Sequence, residues 1–328
     1  MKNNLKRTFR AVLEAVAIGD AMGMATEGRT REEILRLYPV IDGFLPVQPD
    51  SKRKDEVAGT ITDDMGQNLY LVKAYLTDRH ITIENSLRGL EKWLYETDGD
   101  RFIGPSSRKA LAAIRAGESV YTAGELGTSC GAVMRMPSVV LCTSLKSPDT
   151  LEDAIKCACI PTHNTTTALI PAFSYAYALR EALLGKGMEE VMATAIRVAE
   201  SKEKEMKQTC GPSCARRLSR ICSDIDRYTD ETLLLDDLYY VYGSTLTSID
   251  TFTSAMAIAL YAGKDVYRAI RMSVSLGGDT DSIAALSGAL SAAFAKGHNI
   301  PSHLIDTVHK VNHLDCAQLA DEIVETFQ

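Results

Sequence analysis

Residues 276–290 read LGGDTDSIAALSGAL, and this stretch decides how the rest of the chain is read. Asp279 and Asp281 stand behind Gly277 and Gly278 and ahead of the small residues Ala284, Ala285, Ser287, Gly288 and Ala289. Asp, Thr and Ser are good helix N-caps, because a side-chain oxygen accepts an orphan backbone N–H of the first turn. One such residue is enough for one helix, so Asp-Thr-Asp-Ser exceeds what capping requires. The small residues behind it let neighbouring helices approach closely. The segment therefore reads as a buried helix that offers oxygen ligands at its tip, where the helix dipole favours ionised carboxylates.

A second stretch repeats the design. Residues 59–72, GTITDDMGQNLYLV, bunch Thr62, Asp63 and Asp64 ahead of an apolar helical run. Carboxylates and hydroxyls that converge on one spot repel one another unless a divalent cation neutralises them. An all-oxygen set suits Mg²⁺, Mn²⁺ or Ca²⁺ rather than zinc or copper. The expectation is that Asp63, Asp64, Asp279 and Asp281 converge on one or two such ions.

Outward from these two stretches the apolar residues recur at three- and four-residue steps, as Leu5, Phe9, Val12, Leu13, Val16 and Ala17 do in the first segment. The pattern predicts helices over about 5–24, 64–77, 84–96, 107–116, 132–144, 151–159, 166–184, 188–203, 214–225, 251–262, 265–275, 280–295 and 303–311. Convincing strand alternation is lacking, and residues 40–49 (VIDGFLPVQP) read as a loop with extended pieces. Gly and Pro mark the turns between helices. Residues 201–213 are the most polar run and read as an exposed connection. No linker composition interrupts the chain, and the two acidic clusters must meet in space. The expected architecture is all-α, one domain spanning residues 1–328.

Composition narrows the function classes. The chain has 328 residues, 45% of them hydrophobic and 24% charged, with a formal net charge of −7. That balance argues against a general nucleic-acid or anionic-membrane binder, since no basic surplus is present to neutralise phosphates. The basic and apolar N-terminus imitates a signal peptide, but Glu14 interrupts it, and an amphipathic first helix is the better reading. No run approaches the roughly 18 apolar residues that span a bilayer. A cytoplasmic location is expected. The eight cysteines are scattered and read as reduced core thiols. Cys210, Cys214 and Cys222 lack the CxxC pair and fourth ligand of a zinc site.

Taken together, these motifs resemble the ADP-ribosylglycohydrolase family, in its dinitrogenase reductase-activating glycohydrolase-like branch. Members carry GDALG…E, TDDT, GNGAxMR, TH and GGDTDT in that order. Here the counterparts are Gly19-Asp20-Ala21-Met22-Gly23 with Glu27, Thr62-Asp63-Asp64-Met65, Cys130 to Arg135, Thr162-His163, and Gly277 to Ser282. The resemblance implies an orthogonal helix bundle with a central two-metal cleft, holding two Mg²⁺ or Mn²⁺ ions. By the same resemblance the metal ligands are Thr62, Asp63, Asp64, Asp279, Asp281 and Ser282. Glu27 matches the acidic residue near the scissile bond and, with Asp63, is carried over as catalytic. Asp20 is expected to orient the loop or the ligands.

The mid-chain segment departs from the pattern, with Cys130 where the family has Asn. Ser129, Cys130, Gly131 and His163 are the candidate substrate contacts, with a structural histidine as the alternative for His163. Arg135 reads equally as a buried ion pair or a ligand contact. The reaction implied is hydrolysis of a ribosyl glycosidic bond, most often N-glycosidic, with a ribosylated small molecule or an ADP-ribosylated protein as substrate. Two rivals stand beside it. One is a hydrolase of a small riboside or nucleoside on the same scaffold, suggested by Cys130 and by the long segment 41–59 before Thr62. That segment resembles a bacterial subgroup whose substrates are not settled. The other is a non-enzymatic metal-binding relative, since eye-lens crystallins use this scaffold.

Overall fold

A computed structural model describes residues 2–206 and 210–328. Helices account for all of its regular secondary structure. In chain order the first eight are α1 (Lys2–Gly23), α2 (Arg31–Leu37), α3 (Asp63–Asp78), α4 (Ile83–Glu96), α5 (Pro105–Arg115), α6 (Met136–Leu141), α7 (Pro148–Cys159) and α8 (Thr166–Leu183). There follow α9 (Met188–Glu205), α10 (Cys214–Asp224), α11 (Glu231–Asp237), α12 (Ser248–Ala262), α13 (Val266–Val274), α14 (Thr280–Ala295), α15 (Ser302–Asn312) and α16 (Cys316–Phe327). Among the described residues no strand forms, and a lone antiparallel bridge joins Ser129 to Thr247. The chain is all-α, as the periodicity requires.

The centre of the molecule is α14, every residue of which from Thr280 to Ala293 is buried. Small side chains make this possible. A Cβ on Gly19 would stand 2.5 Å from the Ala284 backbone, and one on Gly288 would stand 2.9 Å from the Ile270 side chain. Bare backbone at these points lets α1 and α13 lie directly on α14. Tyr175 of α8 donates to the Leu286 carbonyl at 2.7 Å, which closes the other side. Burial of this much apolar surface, at about 25 cal/mol per Å², is the main stabilising term. Glu14, which looked anomalous in an apolar helix, is buried and held by Arg10 Nε at 2.9 Å and His298 Nε2 at 2.8 Å.

Three helices fall outside the periodic segments recognised in the sequence: α2, α11 and α16. The first two have seven residues each, too short for a period to be counted. Their starts are fixed by capping instead. Thr30 and Glu33 form a reciprocal capping box at α2, and Asp230 caps α11. The segment expected as one helix over 132–144 splits into a 3₁₀ turn at Val133–Arg135 followed by α6. Of the run expected as an exposed connection over 201–213, residues 201–205 form the last turn of α9, with Lys202 buried, and 207–209 fall outside the described residues. Among the described residues, no helix is long and apolar enough to cross a membrane.

Candidate metal centre and cleft

The two acidic stretches, far apart in sequence, meet at the facing tips of α3 and α14. Ser282 Oγ donates to Asp64 Oδ2 at 3.2 Å across a sequence separation of 218. Thr62, Asp64, Asp279, Asp281 and Ser282 are all buried, and Asp63 is half-buried. Thr62 and Asp279 occupy the N-cap positions of α3 and α14, yet neither side chain makes a capping bond. Capping therefore does not account for them. Asp279 instead accepts a 2.5 Å bond from Thr251 Oγ1 on α12, a partner that no sequence motif announced.

Asp20 does the capping that Thr62 does not. Its Oδ2 accepts from Met65 N at 2.8 Å, and its carboxylate accepts from Thr62 N at 2.9 Å and from Thr62 Oγ1 at 2.7 Å. Each of its oxygens is thus committed to the start of α3. The Thr62 hydroxyl spends its proton on Asp20 and keeps its lone pairs.

The electrostatics of this cluster are strained without a counter-ion. Burial, followed by Glu27 and Asp20, pushes the Asp63 carboxyl up to about 8. Burial pushes Asp20 up to about 6, and burial with Glu27 does the same for Asp279. Asp64 and Asp281 are raised well above the carboxylate range, first by burial and then by neighbouring carboxylates. Asp64 Oδ1 is buried and has no hydrogen-bond partner among the described residues. Oxygens of Asp20, Asp64 and Asp281 lie within 4.8 Å of one another. An orphaned carboxylate oxygen inside a ring of mutually repelling carboxylates fits a divalent cation, and the donors present are those a hard cation takes. The thiols of Cys210, Cys214 and Cys222 do not gather in this way among the described residues.

The cluster floors a cleft of about 710 Å³, ample for a nucleotide-sized ligand. Glu27, Asp63, Asp279, Asp281 and Ser282 line its base, with Ser129, Cys130 and Gly131 on one wall. Glu27 Oε2 accepts from Arg53 Nη2 at 3.1 Å and Nε at 3.3 Å. Arg53 comes from the segment before Thr62 that the sequence marked only as an insertion. It is anchored by a 2.6 Å bond to the Arg101 carbonyl and lies 4.7 Å from the Phe102 ring centroid. Burial opposes its charge, but Glu27, Asp281 and Asp63 hold the guanidinium protonated.

His163 and Arg135 sit behind the wall, not in it. His163 is fully buried, its Nε2 bonded to Ser129 Oγ at 2.9 Å and its Nδ1 to Thr162 Oγ1 at 2.8 Å. Burial, with Arg135 nearby, holds it well below the usual histidine range, so it is neutral. A Cβ on Gly131 would meet the imidazole at 2.4 Å. His163 therefore props the loop and touches the cleft through Ser129, in line with its structural alternative. Arg135 is buried and bonds Gln67, Thr162, Ser107 and the Ala158 carbonyl. Among the described residues it makes no ion pair, which replaces the expected carboxylate partner with neutral acceptors.

Known proteins resemble this chain. A protein of Archaeoglobus fulgidus described as uncharacterized is 31% identical over 323 residues, covering 98% of this chain and 97% of the relative. The uncharacterized protein YegU of Escherichia coli is 29% identical over 315 residues, covering 94% of each chain. A solved structure of an ADP-ribosylglycohydrolase-related protein complex superposes with a TM-score of 0.73 at 23% identity over the whole of both chains, a likeness of fold. The family model for ADP-ribosylglycohydrolase matches residues 1–328, and the chain belongs to that family.

Proposed function

We propose that this protein is a Mg²⁺- or Mn²⁺-dependent hydrolase of ribosyl N-glycosidic bonds that releases ADP-ribose from a modified protein or small molecule. Its family consists generally of hydrolases of glycosidic bonds. The observation that carries the finer reading is the meeting of Asp64 and Ser282 at the cleft floor, where oxygens from two helix tips surround an unpartnered carboxylate oxygen beside Glu27. Thr62, Asp63, Asp64, Asp279, Asp281 and Ser282 would hold two cations. Bound there, such ions polarise ribose hydroxyls and lower the pKa of a nucleophilic water.

The remaining chemistry falls to the protein. Water adds to the anomeric carbon as the bond to nitrogen breaks, and the leaving nitrogen takes a proton. Glu27 is placed to orient or deprotonate the water or to assist the leaving group. Arg53 fixes one Glu27 oxygen, and among the described residues nothing bonds the other. Negative charge on the buried aspartates would stabilise an oxocarbenium-like transition state. Ser129, Cys130 and Gly131 face the ribose and its phosphates, with Ser129 oriented by His163.

The test is a substrate panel of ADP-ribosylated arginine, ADP-ribosylated serine, ADP-ribose derivatives and nucleosides, assayed with metal and with chelator. Turnover that chelator abolishes and Glu27→Gln severely reduces is the expected result. Chelator-insensitive turnover, or a fully active Glu27→Gln protein, would refute the mechanism. Turnover of nucleosides alone would install the small-riboside reading, and a silent panel the non-enzymatic one.

A further inference from the structure

We infer that Arg135 fixes two cleft hydroxyls, those of Ser107 and Ser129, as hydrogen-bond donors, and that these donors select a substrate carrying phosphate oxygens. The inference rests on the proposed function, in which the phosphates lie along Ser129. It adds Ser107 as a second contact to them and makes Arg135 the positioning residue behind both.

A guanidinium carries N–H donors and no acceptor, so it donates in every bond it makes. Arg135 is fully buried and donates from Nη2 to Ser107 Oγ at 3.0 Å and from Nη1 to Thr162 Oγ1 at 2.6 Å. Thr162 is fully buried too, and among the described residues the acceptor in reach of its own proton is His163 Nδ1, at 2.8 Å. A buried hydroxyl proton without an acceptor is strongly unfavourable, so Thr162 donates to Nδ1. The imidazole is neutral, because burial beside Arg135 opposes its charge. Its single proton therefore sits on Nε2, which donates to Ser129 Oγ at 2.9 Å.

Both routes from Arg135 end alike. Ser107 Oγ and Ser129 Oγ each receive a hydrogen bond from behind, and among the described residues neither proton has a protein acceptor. Both residues line the cleft. With the ring proton on Nδ1 instead, Ser129 would donate to Nε2 and could offer a ligand only its lone pairs. A ribose hydroxyl turns its own proton to suit either polarity, whereas an ionised phosphate oxygen only accepts. A wall locked as donor therefore discriminates in favour of phosphate.

The experiment has a spectroscopic arm and a binding arm, both on the full-length protein. Histidine rings are labelled with ¹⁵N, and His163 is identified by the shift that Ser129→Ala gives it. Long-range ¹H–¹⁵N correlation should show the Nε2–H tautomer alone, and an Nδ1–H ring would overturn the inference. Thr162→Val, which cuts Arg135 off from the ring, should populate both tautomers, and Thr162→Ser should restore the single one. A Thr162→Val ring that stays wholly Nε2–H would show that Arg135 does not set the polarity. Should that variant fail to fold, the wild-type tautomer decides. In the binding arm, calorimetric titration with Mg²⁺ present compares ADP-ribose with adenosine. Ser107→Ala and Ser129→Ala should each weaken ADP-ribose about tenfold or more. Adenosine, which lacks phosphate, should bind the wild type more weakly and depend on neither serine. Undiminished ADP-ribose binding in either variant would strike that serine, and equal losses for both ligands would refute the phosphate assignment. A wild type that binds no ADP-ribose would refute it together with the proposed function, whereas the wrong tautomer refutes this inference alone.

Discussion

A Cβ built on Gly23, the last residue of α1, would stand 2.4 Å from the Cα of Asp281. The end of α1 and the start of α14 are therefore in backbone contact, and the GDAMG motif is a packing surface for the acidic helix tip. Gly23→Ala should push Asp281 out of place. Overpacking of this kind costs about 1–3 kcal/mol, measurable by chemical denaturation, and divalent-ion binding should weaken with it. Gly297→Ala, where no atom lies within 4 Å, is the control and should stay within about 0.5 kcal/mol of wild type.

Asp64 is buried among Asp20, Asp63 and Asp279, which all oppose its ionisation. Asp64→Asn should raise the melting temperature of the chelated protein by about 2 °C, on the order of 1 kcal/mol, because the fold no longer has to keep a carboxyl protonated there. The same change should abolish the further rise that Mg²⁺ gives the wild type. A variant that still responds to Mg²⁺ would place the ion elsewhere.

Raised carboxyl pKa values set the pH response. Asp63 titrates near 8 and Asp20 and Asp279 near 6 in the folded metal-free chain, against about 3.9 unfolded. The folded state then holds the extra protons, so this contribution to stability is present at low pH and is lost as pH rises from about 4 to about 8. His163, held neutral by burial, acts oppositely below about pH 6.5. The clean readout is therefore the increment due to Mg²⁺. Melting curves with Mg²⁺ and with chelator should diverge steadily between pH 5.5 and 8.5, and a constant difference would contradict the carboxylate assignment.

Arg53 holds Glu27 through a planar fork, with both bonds going to one oxygen. Lysine keeps the charge but loses the fork. Arg53→Lys and Arg53→Met should each lower kcat about tenfold or more, equivalent to roughly 1.4 kcal/mol of transition-state stabilisation. Steady-state kinetics on the substrate identified by the panel provide the check. An unchanged kcat would show that Glu27 keeps its position unaided.

Local periodicity and the clustering of Asp, Thr and Ser at helix starts were legible in the residues themselves. They determined that the chain is helical, that α14 is buried, and that Thr62, Asp63, Asp64, Asp279, Asp281 and Ser282 are the oxygen-bearing groups to watch. Both signals depend only on near neighbours, over one or two helical turns. Helices α2 and α11 were too short for a period to be counted; their starts rest on local caps, Thr30 with Glu33 and Asp230. The pairing of Ser282 with Asp64, the Thr251 bond to Asp279, the Arg53 clasp on Glu27 and the sulfur of Cys130 beside Ser282 are contacts between distant segments. Nothing local encodes them. They follow from how α1, α3, α12 and α14 pack, because backbone contact at Gly19 and Gly23 dictates which helix tips share the floor of the cleft.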